Sequence, residues 1–142
     1  MTFRDLPKNT DDSDFRDPVL GADLVDLLVG MRDRRADSFL FIPCWPDGRQ
    51  IGKKVTVIND VPWAQGPAWF VGLWSTLAVE TVGEFTLLLA TSHGGLGVPE
   101  VHRDWLASAV PQLAALGTPV IGTYVAAVDD VHTLRPPELE NA

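Results

Sequence analysis

Hydrophobic positions near the beginning of the chain recur at helical spacing. Asp17 followed by Pro18 is typical of a helix start. Apolar side chains then follow at intervals of three and four residues, namely Leu20, Leu24, Leu27, Leu28 and Met31. The pattern predicts one helix that runs to about Arg34 and ends in the basic turn M-R-D-R-R, which suits the negative end of a helix dipole. Residues Met1 to Arg16 lack this periodicity and predict a disordered acidic tail.

Further along the chain, strand-like apolar runs alternate with helical patterns. Strands are predicted in S-F-L-F-I-P-C, Q-I-G-K-K-V-T-V-I, F-T-L-L-L-A-T, T-P-V-I-G-T-Y-V-A-A-V and V-H-T-L. Helices are predicted from Trp69 to Ala78 and from Pro99 to Leu116, and Pro111 should kink or split the second of these. The order α-β-β-α-β-α-β-β predicts an α/β fold, a three-layer α/β/α sandwich with a mixed sheet. This single domain is expected at 17–136, followed by a tail at 137–142.

Composition narrows the classes of function. The 142 residues are 46% hydrophobic, which is enough for one core, and the formal net charge is −8, which makes nucleic acid an improbable partner. Cys44 is the only cysteine, and the N-terminal residues show no signal-peptide pattern. No apolar run approaches the roughly 20 residues of a membrane span. We therefore expect a cytoplasmic protein.

Candidate chemistry is concentrated where the strand F-T-L-L-L-A-T meets a glycine-rich turn. In α/β sheets ligands bind beyond the carboxyl ends of strands, so the turn is a candidate ligand site, formed by Ser92, His93, Gly94, Gly95 and Gly97. A turn of this kind can hold an anion or a nucleotide phosphate on its backbone N–H groups. It is neither a P-loop nor a dinucleotide fingerprint. The alternative is that the glycines only permit a tight connection between strand and helix.

A metal site is a second interpretation of the same segment. His93, His102 and Asp104 are residue types that bind zinc in hydrolases, and His93 and Asp104 are the candidate catalytic residues. His102 and Asp104 differ by two positions, so on a regular helix they point apart. The alternative is a turn histidine bonded to backbone and an aspartate that balances the helix dipole.

Other reactive side chains carry weaker signals. Ser92 and His93 are neighbours on a strand and face opposite sides, so they do not form a catalytic pair, and no nucleophile elbow is present. Cys44 has no visible base nearby and is more typical of a small buried hydrophobe. Trp63 lies in a loop and is a candidate for a ligand or partner contact. Trp69 and Trp74 are predicted to be core residues on one helix face.

The stretch from Ala22 to Pro136 resembles the JAB/MPN metalloprotease-like domains, especially the RadC-like branch, within the cytidine deaminase-like architecture. The resemblance lies in the hairpin D-S-F-L-F-I-P-C-W-P-D-G-R-Q-I-G-K-K-V-T-V, the strand F-T-L-L-L-A and the helix start V-P-E-V-H-R-D-W-L-A. The family's metal motif, His-x-His followed by Asp, falls here on Thr91, His93 and Asp104. The resemblance thus implies a metal site that has lost one of its two histidines.

Two more positions depart from that family pattern. The glutamate expected in the first hairpin falls where Lys53 and Lys54 stand, and the serine expected before the aspartate is Val101. A site without one imidazole and without its proton-transferring carboxylate would bind zinc weakly. A nucleobase deaminase is excluded because neither H-x-E or C-x-E nor P-C-x-x-C occurs at the helix starts. The pattern is also similar to an actinobacterial α/β domain family of unknown function.

These observations predict a non-catalytic JAB-like binding or assembly module whose partner is a second copy of itself or another protein. Two alternatives stay open. One is a metal-dependent hydrolase that uses His93, Asp104 and possibly His102, with zinc as its cofactor. The other is an anion or nucleotide site at the turn from Gly94 to Gly97.

Overall fold

The computed structural model describes residues 13–51, 55–79 and 84–134. Within these ranges the helices are α1 (Pro18–Leu28), α2 (Met31–Arg35), α3 (Ala68–Val79) and α4 (Glu100–Ala115), with a single turn of 3-10 helix at Trp63–Gln65. The strands are β1 (Phe39–Cys44), β2 (Thr56–Ile58), β3 (Thr86–Ser92), β4 (Val120–Ala126) and β5 (Val131–Thr133).

The strands form one mixed sheet with β3 at its centre. The strand order is β2-β1-β3-β4-β5, in which β3 runs antiparallel to β1 and parallel to β4. The outer pairs β1–β2 and β4–β5 are antiparallel, as the two predicted hairpins require. The predicted α/β class with a mixed sheet is therefore confirmed.

Two hydrophobic cores lie against opposite faces of this sheet. Because side chains alternate along a strand, Leu87 and Leu89 of β3 point into one core and Leu88 and Ala90 into the other. We call the first the α3–α4 core; its other fully buried members include Phe39, Phe70, Trp105, Leu106 and Leu113. The second, the α1 core, includes Leu24, Val25, Leu40, Ile42 and Tyr124.

The first helix is shorter than its periodicity predicts. Asp17 is the N-cap, as expected, and its carboxylate accepts the Val19 N–H at 2.9 Å. However, α1 ends at Leu28, and the basic segment forms the separate short helix α2. The break turns Arg34 inward, where it is buried and donates to the carbonyl oxygens of Val29 and Ala127, both at 2.9 Å. Arg34 also pairs with the Asp26 carboxylate at 2.8 Å, and its bond to Ala127 is a tertiary contact that a continuous helix would not place in the same way.

Two other boundaries differ from the sequence expectation. The fold already includes the end of the predicted tail, because Phe15 is buried in the α1 core and its N–H donates to the Gly48 carbonyl at 2.9 Å. Helix α4 runs unbroken through Pro111 instead of splitting. Pro111 is exposed, so a carbonyl released from the helical ladder can bond to water. Residues 1–12 and the predicted C-terminal tail at 137–142 lie outside the described residues.

Replacement of Arg34 by Met should destabilise the fold. The variant removes the donors that satisfy two backbone carbonyls, and unsatisfied buried acceptors make a loss of about 2–4 kcal/mol in the free energy of unfolding the expected result. Urea unfolding followed by far-UV circular dichroism measures this loss. Arg32→Met on the exposed side of α2 is the matched control and should change the free energy by less than about 0.5 kcal/mol. Equal losses in the two variants would contradict the capping role of Arg34.

Candidate functional site at the end of the central strand

Ser92 is the last residue of β3 and is bound into the protein interior. Its hydroxyl accepts the Ser38 N–H at 2.9 Å and has two acceptors for its own proton, the carbonyl oxygens of Ser38 at 3.1 Å and Asp33 at 3.3 Å. The residue is buried, and these bonds tie the end of β3 to the connection between α2 and β1. The Ser92 hydroxyl therefore has a structural role in positioning the strand end.

His93 holds the glycine turn in shape. The Gly95 N–H donates to its Nδ1 at 3.1 Å, and its Nε2 lies 2.8 Å from the Gly97 carbonyl oxygen. A ring nitrogen that accepts a backbone N–H carries no proton, so the backbone partners assign the neutral tautomer with its proton on Nε2. Both nitrogens of the imidazole are thus engaged by the turn that follows it. A metal ion at His93 would have to displace one of these bonds.

The glycine turn is also bonded to the connection between β4 and β5. The Gly97 N–H donates to the carboxylate of Asp129 at 3.1 Å, and the Gly95 carbonyl accepts the Val128 N–H at 2.9 Å. The Gly97 N–H, followed by the His132 side chain, holds the pKa of Asp129 below its usual value. Gly97 has a φ of +68°, a conformation that favours glycine. A carboxylate of the protein itself therefore already occupies one N–H group on which the predicted anion would depend.

His102 approaches His93 from the first turns of α4. The centroids of the two imidazole rings are 5.2 Å apart, and the ring of Trp63 lies 4.5 Å from that of His102. His102 is only 2% exposed. Burial, and secondarily the nearby His93, lowers the pKa of His102 to about 4, so the ring is neutral at physiological pH.

Asp104, in contrast, lies on the exposed side of α4. The structure thus brings His93 and His102 together with Trp63 and leaves Asp104 apart, as two positions of helix rotation require. Within the described ranges, no group of three or more His, Cys, Asp or Glu side chains is placed to hold a metal ion. Lys53 and Lys54 lie outside the described residues.

Two buried polar residues near this histidine pair were not among the site residues expected from the sequence. Thr91 is fully buried on β3, and Trp105 is buried one helical turn beyond His102, with its ring 5.3 Å from that of Trp63. The spacing of His102 and Trp105 by three positions places them on one helix face, a signal that was present in the sequence. The approach of Trp63 depends on the tertiary fold.

Cys44 is not placed for chemistry. Its thiol is fully buried in the α1 core, and burial raises its pKa to about 12. The thiolate, which is the reactive form, is therefore strongly disfavoured. The interpretation of Cys44 as a small buried hydrophobe fits this position.

Comparisons of the chain with protein-family models, with curated proteins and with solved structures found no match. The resemblance to JAB/MPN domains accordingly rests on the residue pattern alone. None of the helices in the described part of the chain is both long and apolar enough to cross a bilayer.

The buried His102 should make the fold sensitive to mild acid. Unfolding restores the pKa of His102 from about 4 to the ordinary 6.5, so between these pH values the unfolded state binds a proton that the folded state does not. The free energy of unfolding should therefore fall as the pH drops from about 6.5 to about 4, by up to about 3 kcal/mol at 1.36 kcal/mol per pKa unit. Urea unfolding at a series of pH values measures this slope.

His102→Phe keeps an aromatic ring against Trp63 and removes the titrating group. The slope in this pH window should then largely disappear. Asp129, whose pKa is lowered from 3.8, loses its stabilising effect mainly below about pH 4, so most of this pH window reports His102. A slope that is the same in wild type and variant would show that His102 is not the group responsible.

Proposed function

We propose that this chain is a non-catalytic binding or assembly module of the cytoplasm, related in architecture to degenerate JAB/MPN domains of the RadC-like branch. In this proposal the α1 layer, the sheet and the α3–α4 layer form a three-layer α/β/α sandwich. The order of elements is α-β-β-α-β-α-β-β when α1 and α2 are counted as one helix. The engagement of Ser92 and His93 by backbone groups supports it, because Ser92 fixes the end of β3 and His93 shapes the turn.

The observation that carries the proposal is the outer surface of α3. The helix has the sequence A-W-F-V-G-L-W-S-T-L-A-V, in which no residue is charged. Phe70 and Trp74 face the α3–α4 core, while Leu73 and Leu77 are 42% and 40% exposed on the other side. A helix that is apolar on all sides is normally buried. The exposed side of α3 therefore has the character of a surface that another chain covers.

We define the α3 face by its exposed residues Gly72, Leu73, Thr76 and Leu77. A Cβ added at Gly72 would meet no atom within 4 Å, so space is open above it. The leucines form a ridge beside the shallow row of Gly72 and Thr76, and such ridges pack into the grooves of a facing helix. This self-complementary shape suits a two-fold contact between two copies of α3.

Charge favours the same partner. Each chain carries a formal net charge of −8, so two copies repel one another wherever their acidic surfaces meet. The α3 face is uncharged and permits an approach without pairing like charges directly. A second copy of this chain is therefore the partner that we propose for it.

The two alternatives have less support from the geometry. For the metal-dependent hydrolase, Asp104 is exposed and both nitrogens of His93 bond to backbone. For an anion at the turn from Gly94 to Gly97, the Asp129 carboxylate already accepts the Gly97 N–H and adds negative charge. These contacts favour a binding module over either alternative.

Leu73→Glu combined with Leu77→Glu should abolish self-association. We expect the wild type to sediment as a dimer and the double variant as a monomer, because the variant places four carboxylates in the contact. Raising the salt concentration should strengthen the wild-type dimer, since it screens the repulsion between two acidic chains. Sedimentation velocity at several protein and salt concentrations measures both effects.

Leu96→Glu is the matched control for this experiment. Leu96 is 74% exposed in the glycine turn, so its replacement adds a carboxylate elsewhere on the surface, one per chain against two in the double variant. It should leave the dimer intact. A wild type that stays monomeric at all concentrations contradicts the proposal. If Leu96→Glu dissociates the dimer and the double variant does not, the contact lies at the glycine turn instead of α3.

Metal content separates the module from the hydrolase. Protein purified without chelator should contain zinc well below one equivalent, and added zinc should leave the melting temperature unchanged, because a ligand that binds the native state would raise it. Elemental analysis and thermal unfolding measure these quantities. Stoichiometric zinc that is lost in His93→Ala would establish the hydrolase interpretation instead.

A further inference from the structure

Buried polar atoms without hydrogen-bond partners gather on one side of β3. Among the residues that the structure describes, they include Thr91 Oγ1, His102 Nδ1 and the indole Nε1 atoms of Trp63, Trp69 and Trp105. We call these five residues the donor cluster. Arg103 Nε is also buried and unpaired, but Arg103 directly follows His102 and therefore projects from a different side of α4. Native proteins pair nearly all of their buried polar groups, so several unpaired groups in one place require an explanation.

Ring contacts join the members of the donor cluster. The ring of Trp63 lies 4.5 Å from that of His102 and 5.3 Å from that of Trp105, measured between centroids. Trp69 lies 6.3 Å from Trp105 by the same measure. The three indoles and the imidazole are therefore contiguous.

Thr91 belongs to the same side of the sheet. It follows Leu87 and Leu89 at intervals of two along β3, and both of those residues point into the α3–α4 core. Its register partner on β1 is Phe39, whose ring lies 4.7 Å from that of Trp105 and 6.4 Å from that of Trp69. The Thr91 hydroxyl thus faces the layer that holds the indoles.

Hydrogen-bonding capacity in the donor cluster is one-sided. An indole N–H can only donate, whereas a threonine hydroxyl and a neutral imidazole can each donate or accept. Three indoles, one hydroxyl and one imidazole therefore satisfy each other poorly. A ligand that supplies acceptors would pair them.

The surroundings restrict the charge and shape of such a ligand. The indoles, together with Phe39, provide aromatic walls that suit a planar ring. The imidazole of His102 is neutral, and the exposed carboxylates of Glu100 and Asp104 lie on the same helix start. A buried anion without a cationic partner is disfavoured. Trp63 and Trp69 are the only partly buried members of the donor cluster.

We propose that the donor cluster is a binding site for a neutral, planar ligand that presents carbonyl or ring-nitrogen acceptors. The site shares no residue with the α3 face, although Trp69 lies one turn before Leu73 on the same helix. Binding would satisfy indole N–H groups that the free protein leaves unpaired.

Titration of the full chain with benzamide tests this site. In proton–nitrogen correlation spectra, each indole N–H gives its own signal, and single Trp→Phe variants assign the five tryptophans. We expect saturable downfield shifts for Trp63 and Trp105. Trp74 is the internal control, because its Nε1 already donates to Thr118 Oγ1 at 2.9 Å, and its signal should not move.

Two analogues of the same shape identify what the site recognises. Benzoate carries a negative charge, and toluene has no acceptor; neither should shift the Trp63 and Trp105 signals. Shifts with benzoate instead of benzamide would overturn the neutral class of ligand. Equal effects of toluene and benzamide would reduce the site to an apolar cavity, and no response to benzamide up to its solubility limit would overturn the proposal.

Thr91→Val supplies a variant that should still fold. It removes an unpaired hydroxyl at nearly constant shape, so the melting temperature should stay the same or rise while benzamide binds roughly three- to tenfold more weakly. Thr123→Val is the matched control, because the Thr123 hydroxyl on β4 donates to the Leu134 carbonyl at 2.7 Å. It should lower the melting temperature and leave benzamide affinity unchanged. Unchanged benzamide affinity in Thr91→Val would show that the Thr91 hydroxyl is not part of the binding site.

Discussion

The burial of β3 on both faces is the constraint on which the rest of the structure depends. All seven of its residues are buried, and it hydrogen-bonds to β1 on one side and β4 on the other. Both hydrophobic cores include its side chains. A strand in this position has no solvent-facing place for a polar group along its length. The polar residues at its end therefore mark the point where the chain leaves the sheet, and the site is built there.

Most helices and strands of this fold could be predicted because each depends on residues that are close together in the sequence. The apolar run of β3, the Asp17–Pro18 helix start and the glycine at the end of α4 act over a few residues. The break after α1 could not be predicted in this way. It depends on a bond from Arg34 to Ala127, which lies 93 positions away in the sequence. Phe15 likewise belongs to the fold through a contact with the Gly48 turn that no local pattern shows.

The same distinction applies to the site. The sequence singled out the segment that holds His93 and His102, and in the structure His102 lies against both His93 and Trp63. It left two roles open for His93, a metal ligand and a turn histidine bonded to backbone. A histidine after a buried strand suits a metal ligand and a turn template equally well, and only the positions of the Gly95 N–H and the Gly97 carbonyl distinguish them. A turn template needs one imidazole, whereas a metal site needs several ligands.

The bond between Gly97 and Asp129 has a consequence for how this part of the molecule can change. It joins two connections that are 32 positions apart in the sequence, and the Val128 N–H strengthens the join by donating to Gly95. The two connections are consequently held together as one unit, although one joins β3 to α4 and the other joins β4 to β5. If the glycine turn were grafted into another protein, it would keep its shape only if residues 127–130 were grafted with it.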